Sequence, residues 1–366
     1  MDDLRNILLS LIRSALWSRP ADEIDHLPDW DKVLGLADRQ TVTGLVAYAI
    51  KYVPESFRPS ERLIRELQFK AVRICQSHAL LNRKLAETKR FLDSHGIHSV
   101  LFKGQGVALN YPEPTIRQCG DIDLYVGERN FQKVLSLFKP GTSEDTFRFV
   151  KHFDFEDEGV HVEIHRIAER LPGRRTDRLF KEWTVRNLEE SELRQENIGG
   201  EMINLPPVNF DALYIMNHIW HHFVNGGIGL RQLCDWTLYL HRFHGSIDKD
   251  RLAYDLDRFN LSVAWQILAC IAVECLGLPE DECPLYDGKF RQKSDMIMEI
   301  IWSEGNFGKY AQKGIKPRPT GLIAGKLHSF RRNSSRYGKL IPISPCYMIH
   351  SWISYTITGI RNVFNG

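Results

Sequence analysis

The chain has 366 residues, 43% apolar and 26% charged, with a formal net charge of +2. That length exceeds one typical domain and the balance is that of an ordinary globular protein, so two or three units around a real core are expected. The seven cysteines are odd in number and contain no CxxC pair, which excludes a disulfide framework and a zinc signature and suits the reduced thiols of a cytoplasmic protein.

The N-terminal 17 residues carry apolar positions at helical spacing, but Asp2, Asp3 and Arg13 interrupt them and no small-residue cleavage site follows, so a signal peptide is not expected. Residues 1–92 read as a helical region. Its longest periodic run, 61–95, stops at Ser94-His95-Gly96. The texture then changes to a small α/β unit over 93–205. Strands are expected at 97–102, 122–126, 147–155 and 159–164, and helices at 104–110 and 128–138. Glu156-Asp157-Glu158-Gly159 is the expected hairpin turn between the last two strands. Pro206-Pro207 marks a return to helices, expected at 210–223, 228–243, 248–259, 262–276 and 292–304, in a C-terminal helical domain over 206–366. The fold class expected is α+β, mostly helical. The apolar stretch 340–358 contains Pro342, Pro345, His350 and many hydroxyls, so a docked helix is expected there and not a transmembrane span.

Charge is unevenly spread. Residues 305–366 contain ten Lys and Arg and no Asp or Glu, leaving 38 Lys and Arg against 46 Asp and Glu elsewhere, a formal −8. A basic end on an acidic body can contact an anionic partner or fold back on that body.

The most chemically informative residues are Asp121 and Asp123. Alternate side chains of a strand share a face, so two carboxylates would project together from a strand otherwise apolar. Like charges that close repel unless a cation lies between them or one takes a proton, and a hard divalent ion suits oxygen ligands. Two solvated acids on an edge strand would give the same pattern; the surroundings favour the metal. Lys103-Gly104 ends one strand and opens a helix, where free backbone N–H groups and a lysine can meet phosphate oxygens. Glu163 lies in His161-Val162-Glu163-Ile164-His165, with Val162 and Ile164 expected on the core side, and supplies a third acid for a metal-assisted phosphoryl displacement.

The order Phe102-Lys103-Gly104, Arg117, Gly120-Asp121-Ile122-Asp123-Leu124 and Val162-Glu163-Ile164-His165 resembles the bacterial group described as uncharacterised nucleotidyltransferases, within the polymerase-β-like nucleotidyltransferase superfamily. The core of the resemblance covers residues 93–170. It implies that Asp121, Asp123 and Glu163 hold two Mg²⁺ ions, or Mn²⁺, with Glu163 helping to deprotonate an acceptor hydroxyl. It further implies that Lys103, Gly104, Gln105 and Arg117 contact the nucleoside triphosphate, and that pyrophosphate leaves. The superfamily's Gly-Ser or Gly-Gly turn is Gly104-Gln105 here.

His165, His218, His222, Arg231 and Asp235 are candidates for an acceptor pocket. The four-residue spacing of His218 and His222 can ligate zinc, but HEXXH is absent and cleft-lining histidines are the better reading. Arg231 and Asp235, also four apart, are expected to form a helical ion pair. The acceptor itself, whether small molecule, saccharide, protein or RNA, is not legible. Two other readings stand beside nucleotidyl transfer. One is a glycosyltransferase using D-x-D, which would require a longer nucleotide-binding unit before the aspartates. The other is a catalytically inactive nucleotide-binding or scaffolding protein, which Gln105 favours and the intact acid trio opposes.

Overall fold

The structure, a computed structural model, describes residues 2–141, 151–306 and 322–364, the side chains of residues 2, 322–327 and 358–364 excepted. It is a mostly helical α+β fold. Helices α1 (Asp2–Trp17), α2 (Trp30–Arg39), α3 (Thr43–Ala49) and α4 (Glu61–Ser94) come first. Ser60 caps α4 by accepting from the Leu63 amide, and Gly96, at φ +63°, ends it in the left-handed region that glycine favours.

Four strands, β1 (Val100–Phe102), β2 (Asp121–Tyr125), β3 (His152–Asp157) and β4 (Val160–His165), form a sheet of order β1-β2-β4-β3. β2 pairs with β4 in parallel, and the outer strands pair antiparallel. Helix α5 (Gly104–Ala108) follows β1, and α6 (Gly127–Phe138) follows β2. The expected strand at 147–155 is partly outside the described residues; its described part is β3. The expected four-residue turn shrinks to Glu158 and Gly159, both at positive φ, the conformation a two-residue hairpin with right-handed strand twist requires. Sequence periodicity gave no expectation for α7 (Arg174–Leu188) or for the hairpin β5 (Arg194–Ile198) and β6 (Glu201–Leu205). Gly199-Gly200, at φ +65° and +89°, was its signal.

The C-terminal helices are α8 (Val208–Asn225), α9 (Leu230–Phe243), α10 (Lys249–Arg258), α11 (Ser262–Cys270), α12 (Arg291–Glu304), α13 (Leu322–Leu340) and α14 (Pro345–Phe364). The single helix expected at 262–276 is α11 widening into a π turn over Ile271–Cys275. Among the described residues no helix is long and apolar enough to cross a membrane. α14 instead docks through Tyr347 and Met348 and leaves Ile349, Trp352, Ile353 and Ile357 exposed.

Strand alternation sorts the sheet's two faces. Ile122, Leu124, Val162 and Ile164 join Leu85 of α4, Phe131 of α6 and Ile203 of β6 in one apolar cluster. On the opposite face Phe102 and Tyr125 join a second, larger cluster that runs through α8 and α9 and takes in α1 to α3. Phe102 packs 4.4 Å, ring to ring, from Tyr214 of α8. The face that carries Asp121, Asp123 and Glu163 is therefore turned toward the helices and not toward open solvent.

Candidate functional site

Register places the acids. Asp123 of β2 lies opposite Glu163 of β4, and Asp121 opposite His161. Paired strands are about 4.8 Å apart, so Asp123 and Glu163 are side-by-side neighbours on one face. On the far side of β4, His152 of β3 lies opposite His165.

Above this face is a cavity of about 250 Å³. The sheet side contributes Asp121, Asp123, His152, Glu163 and His165; the β1–α5 turn contributes Lys103 and Gly104. The helical wall contributes His218 and His222 from α8 and Arg231 and Asp235 from α9, with Arg117 beside them. Eleven of the twelve residues singled out from sequence thus meet around one cavity. Gln105 is the exception. Its side chain is buried, does not line the cavity, and neither amide atom has a hydrogen-bond partner among the described residues. A larger cavity of about 450 Å³ lies next to this one, sharing Ala168, and holds none of the three acids.

Lys103 turns the chain from β1 into α5 at φ +49°, a conformation sparsely used by residues other than glycine. Gly104 follows at φ +46°. The turn sends the Lys103 ammonium to within 3.3 Å of Asp123 Oδ2 and 3.2 Å of His218 Nε2. His165 Nε2 lies 2.9 Å from Asp123 Oδ1 and 3.3 Å from Glu163 Oε2.

The electrostatics follow from these contacts. Burial alone would raise the Asp123 carboxyl, but the Lys103 charge and His165 outweigh it and hold the group well below the usual carboxylate range. Asp121 is pushed the other way, by burial and by the Asp123 charge, with Lys103 opposing. Burial would likewise raise Glu163, yet the His165 hydrogen bond lowers it. Burial disfavours a charged His165, but its bonds to Asp123 and Glu163 win and raise it. On the helical wall, burial and then the Lys103 charge push His218 well down and His222 down to about 4. Those imidazoles are neutral at pH 7. The face therefore holds Asp123 and Glu163 below the ordinary carboxylate range and Asp121 above it.

The expected helical pair Arg231–Asp235 does not form. Asp235 is claimed by Arg117, whose Nε and Nη2 donate to its two oxygens at 2.7 and 2.8 Å, while Tyr111 donates from 2.7 Å. Arg231 instead donates to the Gln118 carbonyl. A planar guanidinium matches a carboxylate bidentately, and both partners of the Arg117–Asp235 pair are buried. Lys151, which periodicity did not single out, lines the cavity and donates to both oxygens of buried Glu169 at 2.9 Å.

The residues fit a divalent cation. His152, Glu163 and His165 each offer a ligand atom, all within 4.8 Å of one another, and Asp121 and Asp123 add carboxylate oxygens to the same cavity. The buried Nδ1 of His152 has no hydrogen-bond partner among the described residues. His218 and His222 line the cavity with ring centroids 4.3 Å apart but belong to no such ligand group among the described residues.

Fold and site together define a mostly helical α+β protein whose small mixed sheet presents three carboxylates to a cleft roofed by helices. Within that class, the chain belongs to the family described as uncharacterised nucleotidyltransferase, whose profile matches residues 26–277, more than half of the chain. No curated protein matches the chain. A solved structure, an antigenic nucleotidyltransferase-like protein from Paracoccidioides brasiliensis, is 15% identical, with 52% of this chain and 91% of that chain covered, at a TM-score of 0.27.

Proposed function

We propose that the chain is a Mg²⁺-dependent nucleotidyltransferase that moves a nucleoside monophosphate from a nucleoside triphosphate to a hydroxyl or phosphate acceptor, releasing pyrophosphate. The observation that supports this best is the register of Asp121, Asp123 and Glu163 on one sheet face, beneath a cavity entered by the Lys103-Gly104 turn. In this reading Asp121, Asp123 and Glu163 hold the ions. When bound, Mg²⁺ or Mn²⁺ offsets triphosphate charge and lowers the pKa of an attacking hydroxyl.

The chain's own residues do the rest. Lys103 carries its charge at the end of β1, where the backbone of Gly104 permits close approach by phosphate. The acceptor oxygen attacks the α-phosphorus, the bond to the β-phosphate bridging oxygen breaks, and that oxygen leaves with pyrophosphate. Glu163, ionised at neutral pH, is the carboxylate positioned to take the acceptor's proton. His165, His218, His222 and Arg231 line the space left for an acceptor, and the Arg117–Asp235 pair braces its wall. The glycosyltransferase alternative requires a larger nucleotide-binding unit, and β1, the short α5 and a single 3-10 turn at Pro114–Ile116 are all that separate α4 from the aspartate strand. Exposed Arg331, Arg332 and Lys339, on a C-terminal stretch without acids, suit an anionic partner; Lys309, Lys313, Lys316 and Arg318 lie outside the described residues.

The test is incubation with α-labelled nucleoside triphosphates, Mg²⁺ and cell extract. Wild type should label an acceptor, Asp123→Ala should not, and mass analysis of the product would identify that acceptor. Equal labelling by both proteins would overturn the assignment.

A further inference from the structure

We propose that the cleft holds a nitrogen-bearing metal position, built by His152, Glu163 and His165, that takes a first-row transition ion such as Mn²⁺ or Zn²⁺ in preference to Mg²⁺. It deepens the nucleotidyl-transfer reading by naming one of that reaction's two ions, and its test requires no nucleotide.

The donors come from two paired strands in fixed register: Glu163 and His165 on β4, and His152 on β3 opposite His165. Their spacing is that of ligands sharing one ion. At metal–ligand bonds of about 2.1 Å, neighbouring ligands stand about 3.0 Å apart in an octahedron and about 3.4 Å in a tetrahedron. Here His165 Nε2 to Glu163 Oε2 is 3.3 Å, Glu163 Oε2 to His152 Nδ1 is 3.5 Å, and ligand atoms of the three residues all lie within 4.8 Å of one another.

A metal-free account exists for part of this. An imidazolium at His165 would bridge Asp123 and Glu163 by hydrogen bonds and close that half of the cluster. It leaves His152 unexplained. The His152 Nδ1 is buried and makes no hydrogen bond among the described residues. Its 3.5 Å approach to Glu163 is too long for a good hydrogen bond, yet it suits a second nitrogen ligand. Two imidazoles and one carboxylate form a donor set that Mn²⁺ and Zn²⁺ accept readily. Mg²⁺ prefers oxygen ligands and keeps its waters. Asp121 and Asp123 lie outside this set, alternate residues on one face of β2 that line the same cavity, and supply carboxylate oxygens for the nucleotide's Mg²⁺.

The experiment titrates the chelator-treated full chain with Mn²⁺ alone and reads electron spin-echo modulation from ¹⁴N. Wild type should bind Mn²⁺ with two imidazole couplings, and a hundredfold excess of Mg²⁺ should leave those couplings in place. His152→Phe should retain one coupling and bind at least about tenfold more weakly, since even outer-shell changes cost that much. The wild-type spectrum decides the matter if the variant does not fold. Absence of nitrogen coupling in wild type, loss of the couplings to Mg²⁺, or an unchanged spectrum in folded His152→Phe would each overturn the proposal. Two couplings in a protein that transfers no nucleotide would preserve the metal position and sink the nucleotidyl-transfer reading instead.

Discussion

Arg117→Met removes the guanidinium from a pair in which both residues are only 5% exposed. Asp235 would then keep a buried negative charge whose one remaining partner among the described residues is the Tyr111 hydroxyl, 2.7 Å away. Breaking a buried pair from one side costs about 3–5 kcal/mol, because the surviving charge is uncompensated. With a urea m-value of about 3 kcal/mol/M, the unfolding midpoint falls by roughly 1 M. Tryptophan fluorescence reports the transition, since Trp220, Trp236 and Trp265 all lie in the core. Arg117→Lys should recover little, because an ammonium cannot reproduce the two parallel bonds. Asp235→Leu alone should cost a similar amount. The double variant Arg117→Met/Asp235→Leu should lose less than the sum of the singles, with a coupling of up to about 3 kcal/mol. Singles that each cost under about 1 kcal/mol, or a double that is simply additive, would refute the view that this pair braces the cleft wall.

Acid stability should depend on Glu169. Burial opposes its ionisation, but Lys151 outweighs burial and holds the group at about 2, against an ordinary 4.5. The folded state then binds fewer protons than the unfolded one between those values, so the contribution is complete above pH 4.5 and lost as pH falls toward 2. The contribution is about 3 kcal/mol at 1.36 kcal/mol per pKa unit; acid titrations of Glu169→Gln should lack that slope, and an unchanged slope would contradict it. Glycine-to-alanine changes within helices usually stabilise by up to about 1 kcal/mol, but Gly44→Ala should do the reverse. Its Cβ would lie 2.0 Å from the Ile116 carbonyl oxygen, an overpacking that costs about 1–3 kcal/mol by thermal melting; a raised melting temperature would count against the packing described. Gln105→Met should leave stability unchanged or raise it by about 1 kcal/mol, since it replaces a buried amide with no partner among the described residues by an apolar chain of similar shape. A loss above about 2 kcal/mol in urea unfolding would mean that the amide is satisfied in solution.

What was legible in the sequence is what local periodicity encodes. Ile122 and Leu124 between the aspartates, and Val162 and Ile164 around Glu163, fixed which side of each strand would bear the acids, and the register then made neighbours of Asp123 and Glu163. Helix α4 was legible to within a residue because its stop at Ser94-His95-Gly96 is a local backbone signal. Partners chosen by long-range packing were not legible. Arg231 and Asp235 satisfy the four-residue rule, yet a bidentate guanidinium 118 positions away outcompetes it. His152 gave no signal, because its chemistry exists only after β3 pairs with β4. The β5–β6 hairpin mixes polar and apolar residues too weakly for alternation to stand out, and only Gly199-Gly200 marked it.

The central claim is that the cleft transfers the α-phosphoryl nucleoside unit. The most direct measurement compares nucleoside triphosphate labelled at the α-phosphate with the same nucleotide labelled at the γ-phosphate, using wild-type protein, Mg²⁺ and cell extract. The account predicts that α-label enters the product while γ-label appears only in pyrophosphate, and that Glu163→Gln lowers both signals together. Label entering the product from the γ-phosphate would make the chain a kinase and would contradict the account.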